Sequence, residues 1–327
     1  MSLTLARDGE IAVVTIDNPP VNAIGGAIRA RMLELADQID ADSTIAAVIL
    51  TGAGKLFVGG ADITEFGRPV ESPALPEVIA RLEASQKPWF AAIHGVALGG
   101  GLEISLGCRF RVAAPGTRLG LPEVNLGIIP GAGGTQRLPR LIGIAAAIPV
   151  AAEMRQLSAA EAAALGLIDS VIDGELVSGA VAFARTALKR PLPPLAVARP
   201  LADLTLEQWN EASGRIAKSA KGNTAPRRAL EAIRFGVENG VEAGLKQERA
   251  IFLSLRSSPE AAALRHLFFA ERAAPRPPAL KDVVPLPLRR VGVVGGGTMG
   301  VGIAAALRDA DFPVTLIERD AESVQRA

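Results

Sequence analysis

The sequence predicts an α/β fold that passes into an all-helical stretch and ends in the start of a second α/β unit. Three observations carry this reading. Short β-branched runs alternate with helical runs over residues 1–190, and glycine clusters sit where a strand should hand over to a helix. A change of texture at Pro191, Pro193, Pro194 and Pro200 then precedes helical spacing that continues from Leu206 to Ala273.

Glu10–Asp17 and Ile45–Thr51 are β-branched runs bounded by Gly, Asn and Pro, the pattern of buried strands. Between them Ile28, Met32, Leu35 and Ile39 recur at helical spacing while Arg29, Arg31, Glu34 and Asp37 fall elsewhere, predicting one apolar stripe. Trp89–Ile93 is the next strand, followed by a turn at Gly99-Gly100-Gly101, a short helix from Leu102 and a strand over Phe110–Ala113. Ser158 and Glu161 form a capping box that opens a helix stopped by Gly166, and strand Ile168–Ile172 should follow. Ser258-Pro259-Glu260 opens the last of the long helices. Pro275, Pro277, Pro278, Pro285 and Pro287 predict a stiff linker, and a new element starts at Arg289. The expected division is therefore 1–190, 191–273, 274–288 and 289–327.

Composition removes several functional classes. Of 327 residues, 35 are Lys or Arg and 34 Asp or Glu, a net charge of +1, so no basic excess is available for a nucleic-acid backbone. Tyr is absent and aromatics make up 4%, which leaves no stacking platform for bases. Cys108 is the single cysteine, and with only His94 and His266 beside it neither a disulfide scaffold nor a Cys/His zinc site is expected. The apolar stretches 88–102 and 141–152 are shorter than the ~20 residues of a membrane span. No secretory signal is expected at Met1–Asp8, and a soluble, reducing, cytoplasmic location is the expectation.

Gly99-Gly100-Gly101, lying between a strand and a helix, offers bare N–H groups at the positive end of a helix dipole. It reads equally as a tight turn or as a cradle for an oxyanion. A second stripped backbone, Phe57–Asp62, could bring another donor to the same carbonyl oxygen. Glu103 stands in the first turn of the following helix, in a segment 91–108 that has no Lys or Arg. Glu123 is again set among apolar neighbours. Each could be an ordinary solvated or paired acid. Facing one polarised carbonyl, the two would divide general acid and base work, each tuned by burial. His94 reads as a packed or hydrogen-bonded core residue rather than an acid or base, Cys108 as a small buried hydrophobe, and Asp62 as a loop cap or a ligand contact.

Ala97–Glu103 and Leu121–Leu138, together with Asn18–Ala23, Gly59–Asp62 and Ser158–Asp169, resemble the enoyl-CoA hydratase (crotonase) family. The resemblance implies a crotonase-like spiral of ββα units with a helical C-terminal part. It implies addition of water across the trans-2 double bond of an enoyl-CoA thioester, giving 3-hydroxyacyl-CoA in fatty-acid β-oxidation. Glu103 and Glu123 would match the two catalytic acids, and the N–H groups of Gly59 and Gly100 the oxyanion hole. Hydration would need no cofactor, CoA being part of the substrate, and the setting in a eukaryote would be peroxisomal. A Δ3-Δ2-enoyl-CoA isomerase on the same site is a second enzymatic reading, and a non-catalytic acyl-CoA-binding or assembly module is the alternative. Lys and Arg side chains would hold the CoA phosphates, and self-association is a further expectation.

From Arg290 a strand runs into Gly295, Gly297 and Gly300, spaced as Gly-x-Gly-x-x-Gly. A helix over Val301–Asp309 and a strand over Val314–Ile317 follow, the strand ending in Glu318, where an acid would hold the adenosine ribose. With Thr298-Met299-Gly300, this resembles the start of the NAD-binding Rossmann domain of 3-hydroxyacyl-CoA dehydrogenase. The order hydratase, connecting helix at Leu267–Ala273, dehydrogenase resembles the multifunctional β-oxidation enzymes. One βαβ unit is half of a dinucleotide site, and both histidines precede it. The chain is accordingly expected to be a fragment without hydride transfer of its own, NAD belonging to the longer parent.

Overall fold

Alternation along the apolar strands decides the architecture of the computed structural model, which describes residues 2–68, 72–275, 277, 283–284 and 287–326. These residues divide into two units, Met1–Ala270 and Glu271–Ala327. In the first, β1 (Ser2–Asp8) and β2 (Ile11–Asp17) pair as an antiparallel hairpin, with Gly9 at φ +61 in the turn. Helix α1 (Gly26–Ala41), β3 (Ala47–Gly52), α2 (Leu75–Glu83), β4 (Trp89–Ile93), β5 (Val96–Leu98), α3 (Gly100–Gly107), β6 (Phe110–Ala113) and β7 (Arg118–Gly120) follow. Next come α4 (Gly134–Ile142), α5 (Ile144–Ala152), β8 (Leu157–Ser158), α6 (Ala159–Ala164), β9 (Ser170–Val171) and α7 (Leu176–Ala187). The helical stretch comprises α8 (Leu206–Ser219), α9 (Ala225–Asn239), α10 (Val241–Arg256) and α11 (Pro259–Ala273).

One sheet runs β1-β2-β3-β4-β6-β9 and is parallel from β2 onward; a second runs β5-β7-β8. The chain visits the first sheet, then the second, then a helix in β4, β5 and α3, and β6, β7 and α4 repeat the unit. This is the ββα spiral. Because side chains on a strand point alternately to the two faces, Ala12, Val14, Val48, Leu50, Ala91 and Ile93 enter the main core. Ile11, Val13, Ala47, Ile49, Phe90 and Ala92 enter a smaller core closed by Leu176, Ala180, Val181 and Ala184 of α7. Burial on both faces explains why these strands read as unbroken apolar runs.

Several sequence expectations shift. Strand β1 carries one buried side chain, Leu3, so no apolar pattern announces it. The expected strand over 168–172 pairs only at Ser170 and Val171. Arg29, expected on the polar side of α1, is buried, because the segment after Asp62 folds over it. It donates to Pro73 O at 2.6 Å and to Glu65 Oε2 at 2.8 Å. The capping box of Ser158 and Glu161 forms at the start of α6, and Ser258 Oγ accepts from Ala261 N–H at the start of α11. Most of the expected linker 274–288, Pro278 and Pro285 included, lies outside the described residues.

In the second unit, β10 (Val291–Val294) pairs in parallel with β11 (Val314–Ile317) across α12 (Thr298–Asp309), followed by α13 (Ala321–Arg326). The sequence places the helix three residues later; it begins at Thr298, directly after Gly297. Among the described residues no helix is long and apolar enough to cross a membrane.

Candidate active site

The Gly99–Gly101 turn exists because four neighbours leave no room for side chains. Gly99 has φ +53, and a Cβ there would stand 2.9 Å from Glu123 Oε1. One at Gly100 would stand 2.9 Å from Leu75 Cδ2 and 3.0 Å from Ala61 N, and one at Gly101 only 2.3 Å from Val58 O. The turn therefore threads between the Val58–Ala61 segment and Glu123, and α3 starts against them.

Glu103, in the first turn of α3, is buried at 3% exposure rather than partly solvated. Its Oε1 accepts from Ala132 N–H at 2.7 Å and from Gly134 N–H at 2.9 Å, just ahead of and within the start of α4. Burial pushes its pKa up, and these two amides with the charges of Arg137 and Arg249 oppose the rise without cancelling it.

Glu123 opens a 3-10 turn, Glu123–Leu126, beyond β7. Its Oε2 is buried and has no hydrogen-bond partner among the described residues. Burial first, then the charges of Glu103 and Glu248, holds this carboxyl well above the usual carboxylate range. Two carboxyl groups that repel each other across a small space favour a state with one proton between them. Of the two, Glu123 has the stronger hold on it, since Glu103 is the one supplied with amide donors.

The backbone donors require a correction. The Gly59 N–H donates to Val21 O at 2.8 Å and is not available to a ligand. Two residues on, a parallel bridge joins Ile24 to Ala61 through Ile24 N–H to Gly60 O and Asp62 N–H to Ile24 O, which turns the Ala61 N–H the other way, toward Gly100. Among the described residues neither the Ala61 nor the Gly100 N–H donates to a backbone carbonyl. Among the described residues the Ala61 and Gly100 N–H groups are therefore open, whereas that of Gly59 is not.

A cavity of about 270 Å³ opens beside Ala61 and Leu75 and is walled by Phe66, Arg68, Arg249 and Phe252. Asp62 accepts from the Thr64 N–H at 2.9 Å and from its hydroxyl at 2.7 Å, so it caps the 3-10 turn Ile63–Glu65. His94 Nε2 lies 3.2 Å from Gly54 O, and Cys108 is buried with its pKa pushed to about 12 by burial. Among the described residues no cluster of His, Cys, Asp or Glu is arranged to hold a metal ion.

Sequence reasoning missed Glu248. It is 1% exposed on α10, accepting from Gly133 N–H at 2.5 Å, Thr135 N–H at 2.9 Å and Thr135 Oγ1 at 2.5 Å. Burial and the charge of Glu103 push its pKa to about 8. The signal was present: Gly244, Glu248, Ile251, Phe252 and Leu255 share the buried stripe of α10, with an acid in an apolar series. Nearby, Arg137 is clamped by Glu83 through two bonds of 2.7 Å, and the pairing outweighs the burial that works against its charge.

In the second unit, Gly295 has φ +95, and a Cβ at Gly300 would stand 1.7 Å from Gly295 O, so only glycine lets α12 start against the loop. Gly295 and Gly297 have open space where a Cβ would be, which fits the close approach of a pyrophosphate to a helix N-terminus. Glu318 accepts from the Gly296 N–H and bridges strand end to loop. Gly295, Gly297, Gly300 and Glu318 would hold the adenosine half of NAD, whose nicotinamide supplies hydride chemistry when bound.

The peroxisomal bifunctional enzyme of Cavia porcellus is 38% identical over 97% of this chain and 45% of its own length, so the chain spans less than half of that relative. An enoyl-CoA hydratase from Bacillus anthracis aligns with a TM-score of 0.50 at 30% identity, covering 83% of this chain and 97% of its own. An enoyl-CoA hydratase/isomerase from Pseudoalteromonas atlantica T6c shares the fold, with a TM-score of 0.63 at 23% identity over 83% and 98% of the two chains. Residues 290–327 match the NAD binding domain of 3-hydroxyacyl-CoA dehydrogenase. Residues 6–199, more than half of the sequence, match enoyl-CoA hydratase/isomerase, and the chain belongs to that family.

Proposed function

We propose that the unit Met1–Ala270 hydrates trans-2-enoyl-CoA thioesters. The observation that carries the reading is the buried, unpartnered Oε2 of Glu123 beside the amide-held carboxylate of Glu103 at the turn that leaves the Gly100 N–H open. The thioester oxygen would accept from Ala61 and Gly100 N–H, donors worth ~3–4 kcal/mol each to developing negative charge. Glu103 takes a proton from water as its oxygen bonds to the β-carbon, the double-bond electrons move toward the thioester, and Glu123 gives its proton to the α-carbon. The product is the 3-hydroxyacyl-CoA. Glu103 ends protonated and Glu123 ionised, and one proton exchange resets the pair.

Purified protein should consume a short trans-2-enoyl-CoA with loss of the conjugated thioester absorbance. Binding of the thioester by wild type without turnover would sink the assignment and leave the acyl-CoA-binding module. A Δ3-Δ2 double-bond shift is a second activity of the same site, favoured by the buried Glu123 Oε2 that has no hydrogen-bond partner among the described residues, since moving a proton between two carbons needs a single acid. The pathway assigned is fatty-acid β-oxidation, supported by an Arabidopsis thaliana relative named as a peroxisomal fatty acid beta-oxidation multifunctional protein, in the cytoplasm or, in a eukaryote, the peroxisome. In a longer parent, the 289–327 segment would contribute the first half of an NAD site for 3-hydroxyacyl-CoA oxidation. The boundaries 1–190, 191–273, 274–288 and 289–327 are retained as the proposed division.

A further inference from the structure

Four consecutive amides at the start of α4 serve two carboxylates alternately. Ala132 and Gly134 donate to Glu103; Gly133 and Thr135 donate to Glu248. The first amides of a helix have no intrahelical acceptor, so both acids cap α4, one from α3 and one from α10. Gly133, at φ +100 and ψ 9, sits where the chain alternates. Behind Glu248 the bonding continues, with Thr135 Oγ1 accepting from Gln136 Nε2 at 2.9 Å while it donates to Glu248. Gln136 Nε2 also donates to Ala232 O of α9 at 2.9 Å.

We infer that Glu248 is a positioning residue for Glu103: by holding the Gly133 and Thr135 amides, it keeps the 131–135 loop in the one register that turns Ala132 and Gly134 onto the catalytic carboxylate. The inference rests on reading Glu103 as the base of the hydration. Its physical basis is that buried N–H groups do not stay unpaired. If Glu248 no longer accepts from two of the four amides, the loop rotates to satisfy them and carries the other two away from Glu103. The reacting carboxylate then loses its fixed orientation.

The test uses the full chain with Glu248→Gln, whose single acceptor oxygen leaves an NH2 facing an N–H donor. The expected result is a kcat for enoyl-CoA hydration lower by about tenfold or more at unchanged KM. Hydrogen exchange of the 131–135 amides should quicken in the same variant. A kcat within about twofold of wild type, with those amides equally protected, overturns the inference. Should Glu248→Gln fail to fold, Thr135→Val and Thr135→Ser replace it. Serine keeps the hydroxyl donor and should retain kcat, whereas valine should lower it at unchanged KM; equal kcat in both overturns the inference. A wild type that hydrates nothing, in which Glu248→Gln still speeds exchange at Ala132 and Gly134, refutes the hydratase reading and supports the hold of Glu248 on the loop.

Discussion

Replacing Glu123 by Gln should make the protein more stable and nearly inactive, with a stability gain that depends on pH. The Glu123 carboxyl is buried with one oxygen unpartnered among the described residues, and it sits in the field of Glu103 and Glu248. Its pKa is raised well above the reference 4.5 that an unfolded chain would show. Below that reference value both states carry the proton and the site costs no ionisation. As pH rises the unfolded chain releases its proton while the folded protein holds on, so wild-type stability falls by up to ~1.4 kcal/mol per pH unit until the folded group titrates. Glutamine has no such dependence. An unpaired buried oxygen costs about 1–3 kcal/mol even without charge. Glutamine keeps that neutral cost, so the relief is the ionisation part alone, and each kcal/mol of it should raise Tm by about 2–4 °C for a unit of this size. Thermal melts of both proteins from pH 4 to pH 8 test this: the difference should be near zero at the acid end and grow toward the alkaline end. Hydration by the variant should fall by about 10²–10⁴. A variant less stable than wild type at pH 8, or a pH-independent difference, would refute the placement of a strained proton-holding acid at position 123.

Three further outcomes follow from the same geometry. Glu103→Gln keeps an oxygen for the Ala132 and Gly134 amides but loses the base, so steady-state hydration should drop by about 10²–10⁴ while Δ3-Δ2 isomerisation retains much of its rate. Gly101→Ala would put a Cβ 2.3 Å from the main-chain oxygen of Val58, an overpacking that should cost about 1–3 kcal/mol or more and be read as a lower Tm with lost turnover. Cys108, buried with its thiol pKa near 12, should resist a thiol reagent at pH 8 in the native protein and react at once in denaturant.

The sequence made much of this site legible because its chemistry is local. Glu103 follows its own glycine turn, and Glu123 sits in a string that fits the family. The strands were readable because both faces are buried, which leaves apolar runs of the right length. What stayed hidden depends on direction and on distance along the chain. Gly59 and Ala61 are both bare of bulky side chains, but only the parallel bridge at Ile24 determines which N–H is already used. Glu248 meets Gly133 across 115 residues, and nothing near position 133 announces a partner on α10. Arg29 lies off the apolar stripe of α1, and a loop that no periodicity encodes covers it.

Helices α9 and α10 meet at Gly236 and Gly244, where a Cβ on either would stand 1.7 or 2.2 Å from the Oε1 of Gln136. Neither glycine touches a reacting atom, yet a single methyl at either would wedge the crossing open and push on Gln136, Thr135 and the start of α4. In a saturation library screened for turnover, these two positions should therefore fail like the proposed catalytic acids, Glu103 and Glu123. A map of intolerance drawn from such a screen would show a second focus in a helical appendage with no chemistry of its own.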